Sequence, residues 1–445
     1  MRRTSPPYDR RVDAPPVWRN WARNQRAVPA SIRRPSSEEE LAATVRRAAD
    51  HGRVVRVAGS GHSFSGTVVT DGELILLDRY GDVVAVDPSA MTVTVQAGIP
   101  LHRLNAALLA RGLALPNLGD IDRQTIAGAI ATATHGTGVR HHGIASQVVG
   151  LRLVTGDGGI VDCSAGQEPE VFHCARVGLG ALGVVSTVTL AVVPAFLLHA
   201  VERAADLDET LDGLDEHLAR NEHLELYWFP HTDRALVKAN NRVLDRAPDR
   251  PRWREALDDE VLANGVFGLG CRLGARFPAV VPRLARLAAA AVGADYVDDS
   301  AKVFTSPRRV RFQELEYSVP LAAGPACLRA IRRLVEAHDR PVSFPVEMRF
   351  LAGDDIPLST AYGEARAYLA LHTYRGAPDA VYFREAETIL RDHGGRPHWG
   401  KLHRCRADDL RPRYPEWDRF QAVRQRLDPE GRFLNDYTRR VLVSS

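Results

Sequence analysis

The run GSGHSFSG at 59–66 lies between two short apolar runs, VVRVA at 54–58 and LILLD at 74–78. Glycine admits backbone angles closed to other residues, so a loop this rich in it can turn successive N–H groups toward one anion. The dinucleotide fingerprint would need a third glycine where Phe64 stands, and a helix where LILLD reads as a strand. A nicotinamide-type βαβ site is therefore disfavoured. On the residues alone the loop stands evenly between a pyrophosphate cradle and a tight connection, and His62 reads first as a hydrogen-bonded structural histidine.

Around this loop, helix and strand signals alternate. Ser36 or Ser37 followed by Glu39 or Glu40 is a capping box, and Leu41, Val45 and Ala48 continue it at helical spacing, predicting a helix over 37–51. Hairpins are expected at 83–97 and 148–164, a helix at about 101–111, and a Gly-rich turn into a long buried strand within 178–195. Residues 1–17 form a Pro- and Arg-rich arm, with Trp18 and Trp21 just beyond it marking where the chain packs. The first domain is expected over 18–195. Helices at 207–220 and 280–293 and strands at 224–230, 309–320 and 342–352 predict a second α+β domain over 196–400, followed by a C-terminal segment at 401–445.

The chain has 445 residues, enough for two to four units of roughly 100–200 residues each. Its 58 basic and 55 acidic side chains nearly cancel, which argues against a dedicated nucleic-acid binder. The five cysteines form no C-x-x-C pair, so neither a disulfide framework nor a thiolate zinc site is expected and a reducing cytoplasm fits best. No apolar run approaches about 18 residues, so no transmembrane segment is expected. Peripheral membrane contact through the arm stays open. Only Lys238, Lys302 and Lys401 are lysines, which draws attention to each.

Three further stretches have chemical potential. PNLGDIDRQTIAGAIATATHGTG at 116–138 is built of Gly, Ala and Thr, which lets a flat ligand approach the backbone while hydroxyls meet its polar edge; a small-residue packing seam is the alternative. VEMR places Glu347 and Arg349 on one face of a predicted strand, where a structural ion pair is the simpler reading. GGRPHWGKLH at 394–403 gathers His398, Lys401 and His403 in a loop that suits an oxyanion better than a metal, since no Cys or carboxylate completes a ligand set. No metal is expected.

Taken together in order, GSGHSFSG, GDIDRQTIAGAIATATHGTG, GALGVVSTVTL, ELEYSVP, VEMR, RPHWGKLH and DPEGRFLNDYT resemble the aldonolactone oxidoreductases of the vanillyl-alcohol-oxidase-type flavoprotein superfamily, most of all the L-gulono- and D-arabinono-1,4-lactone group. The likeness spans about 18–440. It implies an α+β fold: a two-subdomain FAD-binding domain, an α+β substrate (cap) domain, and a last segment returning to the FAD domain. It also implies FAD contacts at Gly59, Ser60, Gly61, Ser63 and Phe64, at Gly119, Thr125, Gly128, Thr132, Thr134, His135, Gly136 and Thr137, and at Val184 and Val185 toward the adenine. His62 occupies the position that carries flavin covalently in many relatives, which reverses its structural reading. Glu347, Arg349 and Lys401, with His398 holding the lysine, become the expected catalytic set. The implied reaction oxidises a sugar 1,4-lactone (L-gulono-, L-galactono- or D-arabinono-) at C2 by hydride transfer to flavin N5, yielding an ascorbate-type product. An alditol is the alternative substrate, and the acceptor is O2 or, with slight preference, a cytochrome or quinone-like partner.

Overall fold

The computed structural model describes residues 16–251, 253, 264–291, 293–338, 341–375 and 380–444; most of the expected N-terminal arm and position 292 of the helix expected at 280–293 lie outside them. Three sheets organise the chain. The first is a parallel sheet of β1 (Ser31–Arg33), β2 (Val55–Ala58) and β3 (Glu73–Leu76) in the order β1-β3-β2. Helix α1 (Glu38–Asp50) connects β1 to β2 and starts where the sequence places it: the Ser37 side chain accepts from the Glu40 N–H, while Ser36 donates to the Glu40 carboxylate. Its apolar stripe of Leu41, Val45 and Ala48 packs with Val55 and Ile75.

The second sheet is antiparallel and five-stranded. It contains β4 (Val83–Asp87), β5 (Thr92–Gln96), β6 (Val148–Val154), β7 (Ile160–Ser164) and β8 (Val184–Ala191), in the order β7-β6-β8-β5-β4. Both predicted hairpins form. Strand β8 is not buried throughout, as its apolar run suggests, but alternates buried and half-buried residues because only one of its faces meets the core. Leu41, Val154, Val184 and Phe433 share one apolar cluster, which joins the two small sheets and the C-terminus.

The third sheet sets the chemistry. Strands β9 (Leu197–Asp206), β10 (His223–Trp228), β11 (Arg234–Val243), β12 (Gly293–Asp299), β13 (Phe312–Pro320), β14 (Val346–Leu351), β15 (Arg366–Tyr374) and β16 (Arg396–Pro397) pair antiparallel in the order β12-β9-β11-β10-β14-β15-β13-β16. Directly paired residues leave the same face. The row Leu226, Met348, Leu369, Tyr317 is apolar and fully buried, on the side covered by helices Gly324–Ala337 and Ala380–Asp392. The neighbouring rows carry Lys238, Glu225 and Arg349, then Tyr227, Glu347 and Glu316, on the opposite face. A sheet polar on one face yet buried on both needs a second layer, and the 116–138 segment supplies part of it: Asp120 reaches Arg349, His135 reaches Glu316 and Thr137 reaches Leu224.

The C-terminal residues pack on the first sheet. The Val55 N–H donates to the Arg432 carbonyl at 2.9 Å, and the Asn435 side-chain amide donates to the carbonyls of Gly66 and Val69 at 2.8 and 2.7 Å. Among the described residues no helix is long and apolar enough to cross a membrane. All five cysteines are free and buried.

Candidate active site

A cleft runs between the two small sheets, lined by Ser60–Ser63 and by Gly178–Val185. Gly59, Ser60, Gly61, His62, Ser63, Thr125, Gly128, Thr132, Val184 and Val185 line it. Its walls are close-fitted backbone. A Cβ on Gly59 would sit 2.1 Å from Thr125 Oγ1, and Gly183, at φ +148°, would put one 2.8 Å from the Val154 carbonyl. Small side chains, hydroxyls and a glycine-rich loop suit a long cofactor with a phosphate-bearing middle and flat ends. The donor set therefore fits FAD.

At the loop end His62 stacks on Trp21, with ring centroids 5.5 Å apart and planes 26° apart. Burial, with Lys401 and Arg123 adding to it, lowers its pKa to about 4, so the ring is neutral at pH 7. The loop is tied to the turn that carries Lys401. The Phe64 N–H donates to the Gly400 carbonyl at 2.6 Å and the Ser65 hydroxyl to the Trp399 carbonyl at 2.9 Å.

On the polar face of the large sheet, Arg349 Nη2 lies 2.9 Å from Glu225 and 3.7 Å from Asp120, while Arg349 Nε pairs with Glu347. The Tyr227 hydroxyl lies 3.2 Å from both Glu347 and Glu225. Lys238 closes on Glu225 at 3.0 Å, and Arg308 forks onto Asp120. Burial raises the Glu347 pKa, and the neighbouring Asp120 and Glu225 carboxylates outweigh part of what Arg349 returns. Burial also acts on Glu225, but there Lys238 and Arg349 win and its pKa is lowered. The two carboxylates thus differ because one has two cations and the other shares one.

A second cluster holds the lysine. Lys401 Nζ lies 2.5 Å from Glu314 and 3.6 Å from Glu316. Glu316 also meets His135 Nε2 at 2.7 Å, and Glu314 lies 3.5 Å from His372. Burial raises the Glu316 pKa, but His135, His398 and Lys401 together bring it well below the usual range. His398 shapes the turn: its Nδ1 accepts from the Gly400 N–H and its carbonyl from the Lys401 N–H, both at 3.0 Å.

Not every expected cofactor contact faces the cleft. Phe64 turns into an apolar cluster with Ala22, Phe312 and Phe344. Gly119 and Gly136 allow close packing of their own segment, since a Cβ on Gly136 would lie 2.1 Å from the Leu118 carbonyl. Thr134 accepts from Gln124, and His135 turns to Glu316. Thr137 joins the two layers, donating to the Leu224 carbonyl and accepting from the Phe350 N–H at 3.2 Å. The 116–138 run is thus cleft wall in its middle and packing seam at its end.

Asp120, Glu225, Tyr227, Lys238, Arg308, Glu314, Glu316 and His372 were not singled out from the sequence as site residues. A signal was present. HLELYW and FQELEY alternate charged and apolar residues within strands, and Lys238 and Lys401 are two of the three lysines, whereas Lys302 pairs with Asp298 near the surface.

One consequence can be measured without substrate. His62, His223 and His398 have pKa values near 4 and His403 near 3, all chiefly through burial. Between about pH 6.5 and 4 the unfolded chain protonates these rings and the native state does not. The unfolding midpoint is therefore expected to fall steadily from pH 7 to pH 4; a flat profile in calorimetry across that range would contradict the burial of neutral rings.

Comparison with known proteins agrees with this geometry. A family model described as FAD binding domain matches residues 29–164, and one described as D-arabinono-1,4-lactone oxidase matches residues 188–441. The chain is 46% identical over 428 residues to L-gulono-1,4-lactone dehydrogenase of Mycobacterium tuberculosis, covering 96% of this chain and 99% of that protein. It is 35% identical to L-gulonolactone oxidase of Bos taurus, over 95% of this chain and 98% of that one. The crystal structure of cholesterol oxidase from Brevibacterium sterolicum superposes with a TM-score of 0.80 at 17% identity, covering 96% of each chain, a likeness of fold. The FAD-binding match over the first domain and the relatives over the whole chain make this an FAD-dependent oxidoreductase, as the motifs imply. More narrowly, the chain belongs to the D-arabinono-1,4-lactone oxidase family.

Proposed function

We propose that this protein oxidises a sugar 1,4-lactone of the L-gulono-, L-galactono- or D-arabinono- type at C2, giving an ascorbate-type product. The observation that carries the reading is the buried charged face of Glu347, Arg349, Glu225 and Tyr227, joined through the Lys401 turn to the His62 end of the cleft. Bound FAD supplies the two-electron acceptor for the substrate C–H bond. The chain supplies position and charge. Arg349 is oriented by Glu225 and Glu347 and offers its guanidinium to developing alkoxide character at the substrate oxygen. Glu347, with its raised pKa, can hold the proton that leaves the substrate hydroxyl, and Tyr227 keeps that carboxyl in place. Lys401 places a cation near His62, and His398 fixes the turn that carries it. The two packed layers keep bulk water away from these groups. The relatives compared are named for lactones, so the alditol alternative is not favoured.

Steady-state assays of L-gulono- and D-arabinono-1,4-lactone beside an alditol test the substrate, and alditol turnover exceeding both lactones would overturn the reading. Lys401→Met is expected to keep bound flavin and lose about 10²–10³ in kcat, the loss typical of removing one preorganised charge-stabilising group; wild-type turnover would remove Lys401 from the reaction. We further infer that FAD is attached covalently through His62, whose neutral ring lies in the cleft. Acid precipitation is expected to leave flavin colour in the wild-type pellet and to release it to the supernatant from His62→Ala. Colour in the wild-type supernatant would refute the linkage. The acceptor is inferred to be a cytochrome or quinone-like partner in the cytoplasm. Rapid reoxidation of reduced enzyme in aerated buffer, followed by stopped flow, would instead assign an oxidase.

A further inference from the structure

Farther along the same face of β10, two residues before Glu225, the end of the 116–138 run meets the large sheet at a second group of ligating side chains. His141, in the loop after Gly138, stacks on His223 of β10 with ring centroids 4.3 Å apart and planes 13° apart. Glu222, the residue before His223, lies 3.3 Å from His141 Nε2 and 3.7 Å from His223 Nε2, each measured to its Oε1. The His223 side chain is fully buried, and its Nδ1 faces the Thr137 carbonyl at 2.8 Å. A carbonyl only accepts, so the ring proton sits on Nδ1 and Nε2 carries a bare lone pair. That Nε2 has no hydrogen-bond partner. A buried acceptor nitrogen with no donor beside it costs free energy, and a metal ion bound by that lone pair would remove the cost.

We propose that His141, Glu222 and His223 form a site for a divalent transition metal of the zinc class, clasping the 138–141 loop onto the large sheet. Ligand atoms about 2.0–2.1 Å from a tetrahedral metal lie about 3.3–3.4 Å from one another, close to the 3.3 and 3.7 Å found here. One ligand atom from each of the three residues lies within 4.8 Å of the others. Two imidazoles and a carboxylate are a common ligand set for zinc, with water taking the remaining position. Thr137 orients His223, and Arg242 Nε donates at 2.8 Å to the same Glu222 Oε1, whose second lone pair is the one left for a metal. Binding turns the half-buried His141 ring out of the stack while His223 stays held. The loop is already pinned by the Gly138 N–H to the Phe350 carbonyl at 2.6 Å and by the Ala352 N–H to the His141 carbonyl at 2.9 Å, so the ligands come together on a prepared seam. The other similar group, His135, Glu316 and His398, differs in having no fully buried side-chain atom without a hydrogen-bond partner: His135 Nε2 meets Glu316 at 2.7 Å and His398 Nδ1 accepts from the Gly400 N–H.

The test is a calorimetric titration of untagged, flavin-loaded enzyme with Zn²⁺ after treatment with a chelator, together with the thermal midpoint with and without Zn²⁺. One Zn²⁺ per chain and a raised midpoint are expected. His141→Ala and Glu222→Gln, both partly exposed positions whose circular dichroism can be checked without metal, are expected to bind at least about tenfold more weakly, within the range that loss of a supporting metal contact produces. His142→Ala, altering the exposed neighbour, is expected to bind like the wild type. Absence of stoichiometric binding to the wild type, or equal affinity in His141→Ala and His142→Ala, would overturn the proposal.

Discussion

Replacing Arg349 with methionine is expected to lower kcat by about 10²–10³, as loss of a preorganised charge at the reacting oxygen does. The same change leaves Glu225, Glu347 and Asp120 sharing the buried face with one cation fewer, and breaking such a buried pairing costs about 3–5 kcal/mol of stability. The two effects separate by measurement. Turnover per bound flavin, taken at a temperature where circular dichroism shows the variant folded, reads the first, and the urea midpoint reads the second. Arg349→Lys is expected to recover much of the stability and little of the turnover, because an ammonium restores the charge without the planar fork that meets two carboxylates at once. An unchanged kcat per flavin in Arg349→Met would leave the residue a structural ion and remove it from the chemistry.

Arg56→Met is expected to have the largest effect on stability with no residue of the charged face touched. Arg56 is buried on β2 of the first sheet, and its guanidinium donates to the carbonyls of Thr67 at 2.7 Å, Gly180 at 3.0 Å and Leu179 at 2.9 Å, and to Phe433. Burial lowers its pKa to about 10, which still leaves it charged at pH 7. Methionine would desert these carbonyls at about 1–3 kcal/mol each, against a total stability of about 5–15 kcal/mol for a typical domain. Leu179 and Gly180 line the far end of the cleft, and Phe433 brings in the C-terminal segment, so flavin retention should fall together with the urea midpoint. An unfolding free energy within about 1 kcal/mol of wild type, the size of an ordinary substitution, would show that water replaces the arginine.

The sheet that carries the chemistry was the least legible part of the chain. Strands β9, β11 and β15 were not anticipated, and with them went the pairing that brings Lys238 to Glu225 and Glu347 into one row with Glu316. Glu347 and Arg349 could be placed on one face by strand period, but period alone cannot say whether that face meets solvent or a second layer. Here it meets the second layer, which turns an ordinary ion pair into a buried network that also holds Tyr227 and Asp120. His135 and Thr137 show the converse. Their composition suggests cofactor wall, yet the fold turns one to Glu316 and the other to Leu224 and Phe350.

What the chain determines locally is what depends on short range. The cap at Ser37, both hairpins, the strand–loop–strand setting of GSGHSFSG and the family likeness all rest on neighbours within a few residues or on ordered motifs. The tertiary structure alone decided which charges meet. Asp120 reaches Arg308 and Arg349 across long stretches of chain, Lys401 reaches Glu314, and Glu222 and His223 meet His141. Such pairings follow from sheet register and from the docking of one layer on another, which are set by packing and by the cost of burying unpaired charge. No local pattern encodes them.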